Sequence, residues 1–333
     1  MPPRNRDSLR IVAIGGGTGL STVLHGLKEH VRRPYAPPGS EGVISDLCAI
    51  VTVTDEGGSS GRLRREFGVL PPGDIRRCLV ALSEDEALLS RLFDYRYRHG
   101  RGLEGHSLGN LFLAALTEIT GDFQHALRVF GEVLATCGTI YPSTLANVRL
   151  QATLENGRTV TGETRISRST KRIVRIRLSP SHCRPVPETA EAIAAADIIT
   201  IGPGSLYTSL VPNLLVRGLA KCISESRAVK VYVGNLMTQP GESTGMTAAD
   251  HLRALYRHAG RPFLDYAILN DGGISPRLLR RYRAQGAKPV PNDVEKIRKM
   301  KIEPVFENLV IEEKVVRHNA SRLAERILSL ARS

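Results

Sequence analysis

The sequence predicts an α/β fold: a doubly wound, mainly parallel sheet that carries a small antiparallel β insertion. Three patterns lead there. Five short apolar runs each end in a cluster of Gly, Ser, Thr, Asn or Asp. Stretches with helical period follow most of these clusters. Only between about residues 143 and 180 does the period fall to two. A chain of 333 residues, 41% apolar and 24% charged, can bury a core of this size. The expected layout is a disordered basic N-terminus over residues 1–10 and one α/β domain over 11–331, with the insertion at about 143–180.

Ile11–Ile14 reads as a buried first strand that runs into Gly15, Gly16, Gly17, Thr18 and Gly19, with a helical pattern from Ser21 to Leu27. Strand, glycine loop and helix start together present backbone N–H groups and a positive helix end to an anion. A Cβ in such a loop would block a phosphate. Leu20 replaces the third glycine of the dinucleotide fingerprint, and the Walker lysine is absent. The reading is a phosphate-bearing ligand without ordinary P-loop hydrolysis.

Arg32–Gly42 has the composition of a surface connection. It leads to a second strand, Leu47–Thr54, which ends in Asp55, Glu56, Gly57, Gly58, Ser59, Ser60, Gly61 and Arg62. Pro71-Pro72-Gly73-Asp74 then opens a helix, with Asp74 an early anionic residue in its first turn. His106 and Ser107 precede a long helix whose apolar stripe is Leu108, Leu111, Phe112, Ala115, Leu116 and Ile119. Asn110, one turn in, could face a ligand. Gly121 ends this helix, and Asp122 caps the next, which carries Phe123, Ala126, Leu127, Phe130 and Val133 on its core face.

From Asn147, Val148, Leu150, Ala152 and Leu154 alternate with polar residues. Asn156-Gly157 signals a hairpin, and Val174, Ile176 and Leu178 alternate with Arg175 and Arg177, a solvated face. Ala195–Ile201 ends in Gly202, Pro203, Gly204 and Ser205, and a helix follows through Leu214 to Leu219. Val229–Val233 ends in a loop with Asn235, Thr238 and Gln239, and Tyr266–Leu269 ends in Asn270-Asp-Gly-Gly273. Lys288–Val290 and Ile302–Val305 are Pro-marked edge candidates, and Asn319 caps a last helix facing inward with Leu323, Ile327 and Leu330.

In a parallel sheet the polar strand ends lie on one edge, where doubly wound folds bind ligands at the strand-order switch. Backbone donors, hydroxyls and Arg62, Arg64, Arg76 and Arg77 on that edge suit a nucleotide diphosphate with a sugar. Asp55 and Glu56 could hold Mg²⁺, or could instead pair with the nearby arginines. Ser59 sits in a Gly-x-Ser-x-Gly run, but neither His106 nor His182 lies at a matching strand end, which argues against acyl hydrolysis. Five scattered cysteines form no Cys-x-x-Cys pair, and nine histidines show no ligand spacing. The net charge of +13 invites anions, yet aromatics are only 5% and Trp is absent, so nucleic acid is not expected. No apolar run approaches the roughly 20 residues of a membrane span, and Met1–Arg10 lacks a signal core, so a cytoplasmic location is expected.

Six ordered motifs from about Arg10 to Ala331 resemble the YvcK family of gluconeogenesis factors, relatives of the 2-phospho-L-lactate transferase CofD. They are Gly15-Gly-Gly-Thr-Gly-Leu-Ser, Thr54-Asp-Glu-Gly-Gly-Ser-Ser-Gly-Arg, Pro71-Pro-Gly-Asp-Ile-Arg, His106-Ser-Leu-Gly-Asn-Leu, Ile201-Gly-Pro-Gly-Ser-Leu-Tyr-Thr-Ser and Asn235-Leu-Met-Thr-Gln-Pro-Gly-Glu. The resemblance implies a Rossmann-like, CofD-like domain in a cytoplasmic bacterial protein. It also implies roles in gluconeogenic growth, cell shape and peptidoglycan precursor supply. Relatives of this kind bind UDP-sugars, notably UDP-N-acetylglucosamine, as regulators rather than enzymes, and glucosamine-6-phosphate synthase is one implied partner. On the same ground the phosphate loops are Gly15–Gly19 and Gly202–Ser205, Asp55 is the Mg²⁺ position of the transferases, and Tyr282 and Arg317 contact the UDP-sugar. The family usually has two aspartates where this chain has Asp55 and Glu56, which argues against a metal site of the transferase type. Ala320 replaces a phosphorylatable Thr of some members, which excludes kinase control at that position and leaves Ser321 beside it. The resulting expectation is a non-catalytic, homodimeric nucleotide-sugar regulator that requires no cofactor. A Mg²⁺-dependent transferase of a phosphate-linked group is the alternative function, and an NAD-like nucleotide the alternative ligand.

Overall fold

The computed structural model describes residues 8–33, 42–84 and 86–331. Most of the expected 1–10 segment and of the 32–42 connection lies outside them. Three strands come first: β1 (Leu9–Gly15), β2 (Ile44–Val51) and β3 (Thr139–Pro142). The insertion supplies β4 (Arg149–Leu154), β5 (Thr159–Thr161) and β6 (Ile173–Ser179). Then follow β7 (Ile198–Ile201), β8 (Val229–Val233), β9 (Tyr266–Asn270) and β10 (Glu303–Glu307), and last a hairpin of β11 (Val310–Glu312) and β12 (Val316–His318). The central sheet has the order β10-β9-β8-β7-β1-β2-β3, with every pair parallel. The strand order reverses at β1, so the carboxyl ends of β1, β2, β7, β8 and β9 share one edge, as the sequence predicts.

Strand β1 starts two residues ahead of Ile11. The Leu9 N–H donates to the Val43 carbonyl at 2.8 Å and the Arg10 N–H to Asp197 at 2.9 Å, and these bonds fix Leu9 and Arg10, which the sequence placed in a disordered segment. Helix α1 (Gly17–Lys28) begins inside the glycine run, four residues before Ser21. Gly17 at φ +64° makes the turn there, so the loop's N–H groups belong to the helix's own first turn. Helices α2 (Gly58–Phe67), α3 (Gly73–Leu82), α4 (Glu86–Asp94), α5 (Leu108–Thr120) and α6 (Phe123–Val133) lie between β2 and β3.

Asp122 caps α6 as expected, accepting from the His125 N–H, and Ser107 caps α5 by accepting from the Asn110 N–H. The apolar stripe of α5 is rotated from the expected one. Gly109, Asn110, Leu113 and Ala114 are buried, whereas Ala115 is exposed and Ile119 is 80% exposed. The cause is Asn110, whose buried pairing with Arg76 turns a polar residue inward. Val133 on α6 is likewise exposed.

The insertion is a three-stranded antiparallel sheet in the order β5-β4-β6, with helix α7 (Glu163–Ser167) between β5 and β6. Asn156-Gly157 therefore joins β4 to the short β5. A bulge opposite Thr153/Leu154 leaves Val174 exposed and turns Ile173 inward with Ile176 and Leu178. The inner face belongs to the one large core that fills the molecule, so the insertion is not a separate unit. Of the two edge candidates, Glu303–Glu307 forms β10, and Lys288–Val290 makes only an isolated bridge between Met237 and Pro289.

The helix Ala320–Leu330, capped by Asn319, crosses α1 at Gly26. A Cβ there would run into the Ala320 carbonyl and crowd Ala324 Cβ at 3.1 Å. Gly26→Ala should therefore lower the urea-unfolding stability by about 1–3 kcal/mol through overpacking. Unchanged stability would mean that the last helix can slide away from α1 at no cost.

Candidate ligand-binding site

A cavity of about 480 Å³ opens over the carboxyl ends of β1, β7 and β8. Its walls are the first loop (Gly16, Gly17, Thr18, Gly19), the second (Pro203, Gly204, Ser205) and the third (Asn235, Thr238, Gln239), all expected from the sequence. Gly16, the residue before α1, makes no side-chain cap to it. A Cβ at Gly16 would lie 2.6 Å from Thr52 Cγ2 and 2.9 Å from Asp74 Oδ2, and one at Gly19 would run into the Pro203 carbonyl. The Asn235 amide accepts from the Gly204 N–H at 3.1 Å and donates to the Gly204 carbonyl at 2.8 Å, which locks the second loop to the third. The result is a rigid backbone cradle with the chemistry of an anion site.

Carboxylates stand beside it. Asp74, in the first turn of α3, accepts from Arg77 at 2.9 Å and from the Gly17 N–H. Burial, and then the Asp55 charge, push its pKa up to about 6. Glu163 reaches the same cavity from the insertion, and its Oε2 accepts the Glu56 N–H at 3.1 Å. Burial and the neighbouring Asp55, with which it shares a hydrogen bond, push Glu163 up to about 8. Asp55 lies one layer behind, its Oδ1 accepting the Gly57 N–H at 2.7 Å. Such donors suit a hard cation. Among the described residues, however, no group of three His, Cys, Asp or Glu is arranged to hold a metal ion.

The rest of the second-strand loop is a supporting layer, not a wall of the cavity. Thr54 donates to the Thr208 carbonyl at 3.3 Å, and Ser60 accepts from the Gly73 N–H at 3.1 Å and from Asn110 at 3.4 Å. Arg76 is spent on Asn110 at 3.0 Å and on Asp94, and Arg64 on Asn147 at 2.7 Å. Arg62 donates to the Glu104 carbonyl at 2.6 Å and, with Gly58, borders a separate depression. Of the four expected arginines only Arg77 borders the cleft, because the other three meet acceptors closer to their own helices. His106, although not at a strand end, reaches Ser59 at 3.0 Å. Both are buried, burial and then Arg62 push His106 down, and neither lines the cavity. The pair ties α2 to the start of α5.

Tyr282 lines the 480 Å³ cavity, and its hydroxyl accepts the Val316 N–H at 3.0 Å. Arg317 does not join it there. It pairs with Glu313 at 3.4 Å and borders a second cavity of about 600 Å³, which shares Thr18, Arg77 and His318 with the first. His318 donates from Nε2 to the Gly234 carbonyl at 2.9 Å, and burial pushes its pKa down to about 4, so it is neutral at pH 7. Glu163, His318 and Glu242 were not singled out from the sequence. Glu242 accepts from Thr208 at 2.9 Å and from Ser167 at 3.2 Å, and so fastens the insertion to the second loop. Glu242 closes the motif from Asn235, but nothing local in the sequence marks what any of the three does, since each acts on a residue at least 34 positions away.

Comparison with known proteins agrees with this geometry. Residues 11–310 match the family model described as 2-phospho-L-lactate transferase CofD. The chain is 45% identical to the gluconeogenesis factor of Bacillus subtilis (strain 168), over 96% of this chain and 98% of that protein. It is 48% identical to a putative gluconeogenesis factor of Nostoc sp., over 96% of this chain and 68% of that one. A crystal structure of a UPF0052 family protein from Bacillus halodurans is similar with a TM-score of 0.90 at 44% identity, covering 97% of this chain and 99% of the other. Among the described residues no helix is long and apolar enough to cross a membrane.

The carboxyl at Glu163 has a measurable consequence. Its folded-state pKa is raised, so the native state keeps a proton that the unfolded chain releases above about pH 4.5. Stability is therefore full below that pH and falls as pH rises through about 8. Glu163→Gln should flatten urea-unfolding stability across this window and gain about 1–2 kcal/mol at pH 8. A variant that stays parallel to the wild type at every pH would show that Glu163 is not the proton holder.

Proposed function

The chain belongs to the CofD family and to the gluconeogenesis factors within it, and we propose that it binds a nucleotide sugar of the UDP-N-acetylglucosamine type as a cytoplasmic, non-catalytic regulator. One observation carries this reading: two glycine loops, after β1 and β7, face one cavity at the start of α1 with Arg77 at its rim. Backbone N–H groups and one guanidinium are the donors that a diphosphate takes up, and the adjoining cavity leaves room for groups at both its ends. The regulatory reading links gluconeogenic growth to peptidoglycan precursor supply and cell shape, with glucosamine-6-phosphate synthase as a partner enzyme. Binding without turnover is supported by how the polar groups are committed. Arg77 is held by Asp74, His318 by the Gly234 carbonyl and Tyr282 by the Val316 N–H.

A second reading is transfer of a phosphate-linked group with Mg²⁺, as the family description suggests for its transferase members. Asp74 and Glu163, the carboxylates that line the cavity, favour it, since a cation bridged by phosphates needs only one or two carboxylates.

Isothermal titration with UDP-N-acetylglucosamine, with Mg²⁺ and with EDTA, decides between them. The regulator should bind equally in both, and Arg77→Ala should weaken binding by about tenfold or more, the loss of one charge-assisted contact. Binding only with Mg²⁺, abolished by Asp55→Ala, would instead establish the transferase reading.

A further inference from the structure

The insertion concentrates charge that the cleft does not use. Residues 149–179 hold eight Lys and Arg against two Asp and Glu, and the rest of the chain holds 38 against 31. Of the two acids, Glu163 lines the cleft and Glu155 pairs with Arg172 at 3.8 Å. The sheet directs this charge. Leu150, Ala152, Ile176 and Leu178 are buried on its inner face, so Arg149 of β4 and Arg175 and Arg177 of β6 stand on the outer one. All three are exposed. Each faces a neutral partner across the strands, Ser179, Thr153 and Gln151 in turn, so the register avoids direct like-charge pairs. Among the described residues Arg149 has Glu56 at 3.5 Å, and Arg175 and Arg177 have no ion pair. The positive charge continues past the sheet edge. The Ile176 N–H donates to His258 Nε2 at 3.1 Å, and burial above all, then the charges of Arg257 and Arg175, hold His258 below its ordinary pKa.

The chemistry of the face selects its partner. His258 takes the Ile176 N–H and the helix Val211–Leu215 packs on β6, so a partner meets the face rather than extending the sheet. Among the described residues the face carries no Phe, Tyr, Trp or His on which a base could stack. Val174, at the bulge, is the one exposed large apolar side chain of these strands, too little to enter a lipid surface. Seven of the eight cations are arginine, whose planar fork takes a carboxylate bidentately. Arg175 and Arg177 stand about 7 Å apart along one strand, the spacing of alternate side chains in an extended acidic segment. We propose that the outer face of the insertion is a docking surface for a carboxylate-rich segment of a partner protein. None of its three arginines lines the cleft, and the surface does not depend on which ligand the cleft takes.

Fluorescence anisotropy with labelled deca-glutamate, at low salt and without nucleotide, tests this with two variants of equal charge change. Arg175→Glu/Arg177→Glu reverses the face, and Arg98→Glu/Arg101→Glu reverses the exposed basic loop at the separate depression. Binding should weaken about tenfold or more in the first and less than about twofold in the second. Duplex DNA and phosphatidylserine vesicles serve as competing probes. Equal weakening by both variants would reduce the effect to net charge and overturn the proposal. So would an absence of deca-glutamate binding, or binding of the DNA or the vesicles that needs Arg175 and Arg177 and displaces deca-glutamate. Thermal unfolding checks that the reversed face is folded. If that variant is destabilised, Arg175→Gln/Arg177→Gln takes its place, with weakening again expected at the face and not at the loop.

Discussion

The whole site depends on a contact that admits no side chain. Strands β1 and β7 are neighbours at the point where the strand order reverses, with Ile14 opposite Ile201. Their loops leave the sheet side by side and must cross within van der Waals distance. A Cβ on Gly19 would strike the Pro203 carbonyl, and one on Gly16 would press on Thr52 and Asp74. Only glycine lets the two backbones converge, and their convergence is what makes one anion cradle out of two turns. Everything further out, including the start of α3 and the Asn235 clamp on Gly204, is placed relative to that crossing.

A cradle of donors beside a set of carboxylates looks self-defeating until the layers are separated. Asp74 serves the cradle directly by taking the Gly17 N–H and holding Arg77 at 2.9 Å. Asp55 and Glu163 serve it indirectly, each accepting a backbone N–H of the second-strand loop, at Gly57 and Glu56. Asp74 is buried, and Asp55 and Glu163 stand near it; burial first, and then the Asp55 charge, raise the pKa of both Asp74 and Glu163. The insertion enters the site through Glu163 and is held by Ser167 on Glu242. It is a wall of the cleft that shares the common core.

What was legible in the sequence was whatever depends on neighbours in the chain. The glycine loops after β1 and β7, the caps at Asp122 and Asn319, and the change of period in the insertion are all local signals, and the structure has them. Arginines were misplaced because their reach exceeds any local pattern. Arg64 finds Asn147, 83 positions away, and Arg76 turns from the cleft to Asn110. The stripe of α5 was misread for the same reason: a polar residue faces inward there because its partner is buried, and hydrophobic periodicity cannot register a satisfied pair. Glu163 was invisible for a further reason. It belongs to a segment that reads as a peripheral insertion, and only the packing of that segment brings its carboxyl to Asp55.

The C-terminal hairpin is the element that an occupied cleft would affect most. β11 and β12 form a two-stranded ribbon outside the main sheet, with every residue from Ile311 to Val315 exposed. Single bonds from the helix Pro276–Ala284 and its cap hold it: Tyr282 accepts from Val316, Arg281 donates to the Lys314 carbonyl, and the Ser275 N–H meets Glu312. An isolated ribbon of this size has little stability of its own, so its position follows from these bonds and from His318 on Gly234. Both cavities draw part of their wall from it, Val316 on one side and Arg317 on the other.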